Sequence, residues 1–152
     1  MTDTLVIDPR AWASLSAEAT AALPRETGGI LLGHLTPGTM HVSQALTVPD
    51  ARATRVRYRR DVDEATDLLK ERLAHDETGL LGYLGEWHTH PLPVGPSPSD
   101  ERAIRHLAAD GDHDVALLVV ALTRRGWRAH CCLAMPDGHI TPITFTPPGE
   151  PT

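Results

Sequence analysis

The chain has 152 residues, 41% of them hydrophobic and 22% charged, with a formal net charge of −6. These values describe one domain able to bury a real hydrophobic core, and they argue against a general affinity for nucleic acid or an anionic membrane. One Phe, two Tyr and three Trp leave little aromatic surface for stacking bases, no apolar run is long enough to span a bilayer, and the N-terminus MTDTLVIDPR lacks the basic-then-apolar pattern of a signal peptide.

In chain order, Leu5 to Ile7 reads as a short strand, and Asp8-Pro9 as a helix start, with Asp8 as N-cap and Pro9 in the first helical position. The helix runs to about Leu23, where Pro24 ends it, with Trp12, Leu15, Ala19 and Ala22 on one stripe. Gly28-Gly29 frees the backbone ahead of an apolar strand, Ile30 to Leu35. The turn Thr36-Pro37-Gly38-Thr39 makes a hairpin with a second strand, Met40 to Val48. After a loop from Pro49 to Thr54, Arg55 to Tyr58 alternates like an edge strand. Arg52, Arg55, Arg57, Arg59 and Arg60 form a basic cluster in an acidic protein, readable as a solvated strand face or as a docking patch for an acidic partner. Asp61 to His75 has the spacing of an amphipathic helix, with Val62, Ala65, Leu68, Leu69 and Leu73 inward and acids in its first turn.

Leu80 to Trp87 reads as a buried strand, and a Pro-rich loop from Pro91 to Pro96 leads into a helix to about Ala109, stopped at Gly111. Val115 to Leu122 is an uninterrupted apolar run, the mark of a fully buried strand. Trp127 to Ala134 and His139 to Phe145 complete the set, joined by the turn Pro136-Asp137-Gly138. The adjacent Cys131 and Cys132 match neither a CxxC redox pair nor a zinc-ribbon spacing, and suit packed thiols in a reducing, cytoplasmic compartment. The order of elements predicts a single α/β domain, a mixed sheet flanked by helices, over residues 1–146, with a frayed tail at 147–152.

The stretch with chemistry in it is Gly85 to Asp100, GEWHTHPLPVGPSPSD. Residues two apart on a strand point to one side, so His88 and His90 project together, and two imidazoles with a nearby carboxylate are the protein ligands of an open zinc site. Asp100 supplies a carboxylate, although Ser97-Pro98-Ser99-Asp100 is also close to a helix capping box. A hydrolytic zinc site needs a carboxylate to move the proton of its acidified water. Glu86 lies on the side of the histidines but one pleat deeper, and Glu26 precedes the Gly-Gly strand; composition does not choose between them.

The blocks PRETGGILLG, GEWHTHP and PSPSD, in this order and separation, resemble the JAMM metalloproteases, a family that includes the proteasome-lid and signalosome deubiquitinases and many bacterial members. The resemblance implies a cytidine-deaminase-like fold, with Glu26 as general acid/base, His88, His90 and Asp100 as ligands of Zn2+, and Ser97 as a donor to the tetrahedral oxyanion. It departs in one place: nine residues separate His90 from Asp100, where the family usually has ten, and Glu101 stands at the ten-residue spacing. It further implies hydrolysis of amide bonds at the C-terminus of a ubiquitin-like protein or its conjugates, such as those of a bacterial anti-phage operon. The alternatives are processing of a sulfur-carrier adduct, and a non-catalytic scaffold of the same fold that binds a protein partner.

Overall fold

The fold is read from a computed structural model that describes residues 1–149. The strands are β1 (Thr4–Ile7), β2 (Gly28–Thr36), β3 (Thr39–Thr47), β4 (Gly82–His90), β5 (Val115–Thr123), β6 (Gly126–Ala134), β7 (Ile140–Pro142) and β8 (Thr144–Thr146). The helices are α1 (Pro9–Ala22), α2 (Val62–Ala74) and α3 (Pro98–Gly111). All strands join one mixed sheet in the order β7-β6-β5-β4-β2-β3-β1-β8. The outermost strands are separated by Ile143 alone, so the sheet curls until one short segment touches both of its edges. The single strand expected at His139 to Phe145 is therefore split: β7 pairs antiparallel with β6, and β8 pairs parallel with β1.

The curl gives the sheet an inner and an outer face. Leu5, Leu31, Met40, Trp87, Leu118 and Leu133 fill the inside with Ala11 and Leu15 of α1. On the outer face, Ile104 and Ala108 of α3 cover Val115, Leu117 and Val119, and Ala65 of α2 covers Ile30 and Leu32. Each fully buried leucine in these layers contributes about 1.5–3 kcal/mol. As expected of adjacent strand residues, Cys131 packs in the inner core and Cys132 in the outer one; burial pushes both thiols up.

Three expectations need correction. Residues 55–60 form no strand; they belong to an irregular loop whose ends are held by Asp50, whose side chain accepts the N–H groups of Arg52 and Arg59. The inward stripe of α2 is narrower than its spacing suggests: Ala65, Leu68 and Leu69 pack on the sheet, and Val62 and Leu73 are exposed. The burying stripe of α1 is Ala11, Leu15 and Ala19, with Trp12 half-buried at its margin.

Two irregularities position the site. In the β2–β4 pairing Leu31 faces Gly85 but Leu32 faces Tyr83, so Leu84 is an extra residue, a bulge that reverses the alternation of β4. Tyr83 then shares the outer face with Glu86, His88 and His90. Second, Gly28 and Gly29 serve close approach: a Cβ on Gly28 would meet the Trp87 carbonyl oxygen at 2.4 Å, and one on Gly29 the Leu46 carbonyl oxygen at 1.7 Å. Backbone cannot yield as a flexible side chain can, so Gly29→Ala is expected to cost at least about 3 kcal/mol of unfolding free energy in a urea titration.

Candidate active site

β4 extends further than expected, to His90, so both histidines sit within the sheet rather than beyond its end. Gly28 pairs with His88 across β2 and β4, which brings the residues just before β2 alongside His90. Thr27 and Thr89 lock this junction: the Thr27 N–H donates to Thr89 Oγ1 at 2.9 Å, and the Thr89 N–H donates to the Thr27 carbonyl at 2.9 Å. Glu26 is thereby carried to the histidines across the sheet. Its own N–H donates to the Thr54 carbonyl at 2.7 Å, tying it to the loop at 50–60.

α3 brings Asp100. Ser97 is its N-cap and Pro98 its first residue, and the capping box is complete: the Asp100 N–H donates to Ser97 Oγ at 3.1 Å, and the Ser97 N–H donates to Asp100 Oδ2 at 2.8 Å. The same Oδ2 lies 3.2 Å from the Nε2 atoms of both His88 and His90. The capping and ligand readings of this turn are thus compatible in one geometry, because the cap fixes the rotamer that aims the carboxylate. Glu101 points elsewhere, toward Arg105 on the exposed side of α3.

Donor atoms of His88, His90 and Asp100 all lie within 4.8 Å of one another. His90 Nδ1 sits 3.0 Å from the Val94 carbonyl, which can only accept, so in the neutral ring Nδ1 carries the hydrogen and Nε2 presents a lone pair. His88 Nε2 is buried and has no hydrogen bond of acceptable geometry. Lone pairs converging on a carboxylate oxygen repel one another unless a cation stands between them. Two imidazoles and a carboxylate are a donor set that fits zinc.

Glu26 is buried, and its Oε1 lies 3.9 Å from His90 Nε2. Burial pushes its carboxyl up to about 7; His90 works against that shift and Asp100 reinforces it. Burial also opposes ionisation of Asp100, but the His88 and His90 rings beside it and the Ser97 N–H outweigh it and hold this carboxyl well below the usual carboxylate range. Two carboxyls in one site thus have opposite tendencies, the pattern expected of an acid/base group beside a ligand.

Glu86 shares the outer face but is occupied otherwise. It pairs with Arg60 and accepts the Tyr83 hydroxyl at 2.6 Å, a contact the Leu84 bulge makes possible. Burial pushes Glu86 up to about 6 against the pull of Arg60 and Tyr83. This network lies below the histidines and pins the end of the loop at 50–60, a structural role that strand alternation alone did not reveal. Arg60→Ala leaves a buried carboxylate with one donor and is expected to cost about 3 kcal/mol near neutral pH by urea unfolding. The basic cluster is therefore dispersed: Arg60 is in the ion pair, while Arg55 and Arg57 stand with Val56 over a cleft of about 260 Å³. Glu26, His90, Ser97 and Asp100 line that cleft, and exposed Val56, Leu92 and Val94 border it.

The model of prokaryotic homologs of the JAB domain matches residues 8–131, most of the chain. The chain belongs to the prokaryotic JAB-domain family. A curated relative of this JAB-domain protein, the "CD-NTase/cGAS isopeptidase" of Enterobacter hormaechei subsp. hoffmannii (strain UCI 50), is 36% identical over 114 residues, which cover 72% of this chain and 61% of the relative. The chain thus spans about three fifths of the relative's length. The solution structure of a Desulfitobacterium hafniense protein superposes with a TM-score of 0.71 at 19% identity, over 96% of this chain and 94% of that one, a likeness of fold. Among the described residues no helix is long and apolar enough to cross a membrane.

Proposed function

We propose that this JAB-domain protein is a zinc-dependent isopeptidase that hydrolyses the amide bond at the C-terminal tail of a ubiquitin-like protein and so releases it from its conjugates. The observation that carries this reading is the position of Glu26: a buried carboxyl with a raised pKa, without a salt bridge to Arg or Lys among the described residues, beside His90 and at the cleft wall. The isopeptidase name of the relative from Enterobacter hormaechei supports the class of reaction.

His88, His90 and Asp100 would hold the ion. When bound, it supplies Lewis-acid polarisation of the scissile carbonyl and an acidified water. Glu26 takes a proton as the water oxygen bonds to the carbonyl carbon, then delivers it to the departing nitrogen as the C–N bond breaks, giving a carboxylate terminus and a free amine. Ser97 Oγ is an acceptor toward the Asp100 N–H, which leaves its hydroxyl hydrogen free to donate to the oxyanion. The Val94 carbonyl keeps the His90 ring in one tautomer. The apolar rim of Val56, Leu92 and Val94 suits an extended, uncharged tail leading into the cleft. A cytoplasmic setting suits the two free cysteines.

Processing of a sulfur-carrier adduct uses the same chemistry and differs only in substrate. A non-catalytic scaffold has no need of Glu26 in its present position, so the assembled cluster favours the enzyme. The test is hydrolysis of an amide-linked ubiquitin-like fusion by the purified protein. Cleavage at the tail, abolished by a chelator and restored by zinc, is expected; undiminished cleavage after removal of metal contradicts the reading.

A further inference from the structure

A second concavity, of about 870 Å³, lies away from the Glu26 cleft, where the curled sheet fails to close. β6 pairs with β7 only from Cys132 to Ala134, followed by one further bond from the Ile143 N–H to the Cys131 carbonyl at 3.1 Å. Beyond Ile143 the chain turns away to pair β8 with β1. The outer edge of β6 between Gly126 and His130 therefore has no hydrogen-bonded strand partner among the described residues.

Which backbone groups are exposed there follows from geometry. In an antiparallel strand the N–H and C=O of one residue point to the same side, and the side alternates along the chain. The Cys131 carbonyl points outward to Ile143, so the N–H and C=O groups of Ala129 and Trp127 point outward too, into the gap. The side chains of Trp12, Trp127 and Phe145 line the gap; Trp12 and Phe145 pack at 5.3 Å between ring centroids, and Trp127 is fixed by a bond from its Nε1 to Thr20 Oγ1 at 3.1 Å. Arg124, Arg125 and Arg128 border it; among the described residues none of the three makes an ion pair and no acidic side chain lines the gap. Three cations around one groove, without an ion pair among the described residues, run against the net charge of −6.

We propose that the open edge of β6 is a docking site for an extended acidic peptide segment of a protein partner, which adds as a strand beside Trp127 and Ala129, sets apolar side chains on Trp12, Trp127 and Phe145, and pairs its carboxylates with Arg124, Arg125 and Arg128. An unpaired edge recognises extended backbone, which a small anion does not offer, and the charge of the rim selects the sign of the partner. The surface shares no lining residue with the Glu26 cleft and does not depend on the catalytic reading.

The test uses the full chain and fluorescein-labelled peptides of alternating Glu and Val, or of alternating Lys and Val. The Glu peptide is expected to bind at least about tenfold tighter than the Lys peptide, although the protein as a whole attracts the Lys peptide more. In nuclear magnetic resonance hydrogen exchange, the Trp127 and Ala129 amides are expected to exchange freely in the protein alone and to become protected with the Glu peptide. Ala129→Pro removes only an outward-facing N–H and leaves the β5 ladder intact; it is expected to weaken binding at least about tenfold, as is the surface variant Arg124→Glu/Arg128→Glu. N-methylation of alternate peptide amides is expected to do the same. Equal binding of the two peptides, or none at millimolar concentration, overturns the proposal. So does protection of these amides in the free protein: protection lost on dilution assigns the edge to a second copy, and protection that persists assigns it to the chain itself.

Discussion

Glu26→Gln is expected to lower kcat for hydrolysis of an amide-linked ubiquitin-like conjugate by about 10²–10⁴-fold while zinc still binds, because the amide keeps the shape of the carboxyl but cannot carry the proton. KM is expected to change little, since Glu26 acts on the reacting atoms at the cleft wall rather than on the tail of the substrate. An active Glu26→Gln variant removes Glu26 from its assigned role. The same substitution has an opposite consequence for stability in the metal-free protein. Burial raises the Glu26 carboxyl from 4.5 to about 7 in the folded chain. Below the unfolded value both states hold the proton. As pH rises toward 7 the unfolded chain releases its proton first, so the stability linked to this group is full at acid pH and lost as pH passes through the folded value. Glutamine has no proton to lose. Urea titrations of metal-free protein are expected to find Glu26→Gln more stable than the parent at about pH 8, and the difference nearly gone at about pH 4. A stability difference independent of pH contradicts the burial of this carboxyl.

Asp100→Ala is expected to reduce kcat/KM by about 10³-fold or more, against less than about twofold for Glu101→Ala. The contrast rests on direction: Asp100 Oδ2 is 3.2 Å from both imidazoles, whereas Glu101 faces Arg105 outside the cleft. Asp100 also accepts the Ser97 N–H, so its removal loosens the start of α3 as well. Loss of a cap costs about 1 kcal/mol, too little to unfold a domain of this size, and circular dichroism is expected to show the helices intact. If Glu101→Ala is the variant that loses activity, the nine-residue separation from His90 has moved the ligand by one position, and the geometry of α3 described above is wrong.

The local signals in this chain were readable where a short range decides the outcome. The Ser97–Asp100 box needs one helical turn, the pair His88 and His90 needs one strand period, and the run Val115 to Leu122 needs only its composition. The resemblance carried by the three sequence blocks agrees with the family now shown. What stayed hidden depends on partners distant in sequence. The Leu84 bulge arises from pairing with β2 and has no mark in the alternation of β4, yet it places Tyr83 on Glu86. Strand faces left Glu26 and Glu86 open, because both reach the histidines' side; the ion pair with Arg60, which arrives from a loop and occupies Glu86, supports the role proposed for Glu26. That loop itself read as an edge strand, since alternating Arg and apolar residues carry a period of two whether or not an edge is there to receive them. The division of β7 from β8 is likewise set by the two sheet edges they join, and the tail expected at 147–152 lies partly outside the described residues.

Calorimetric titration of metal-free protein with zinc tests whether His88, His90 and Asp100 form one metal site with Glu26 beside it. A single site per chain is expected, with a stoichiometry unchanged in Glu26→Gln and Glu101→Ala and binding lost in His88→Ala, His90→Ala and Asp100→Ala. Zinc binding that survives loss of these three side chains, or that requires Glu26, would contradict it.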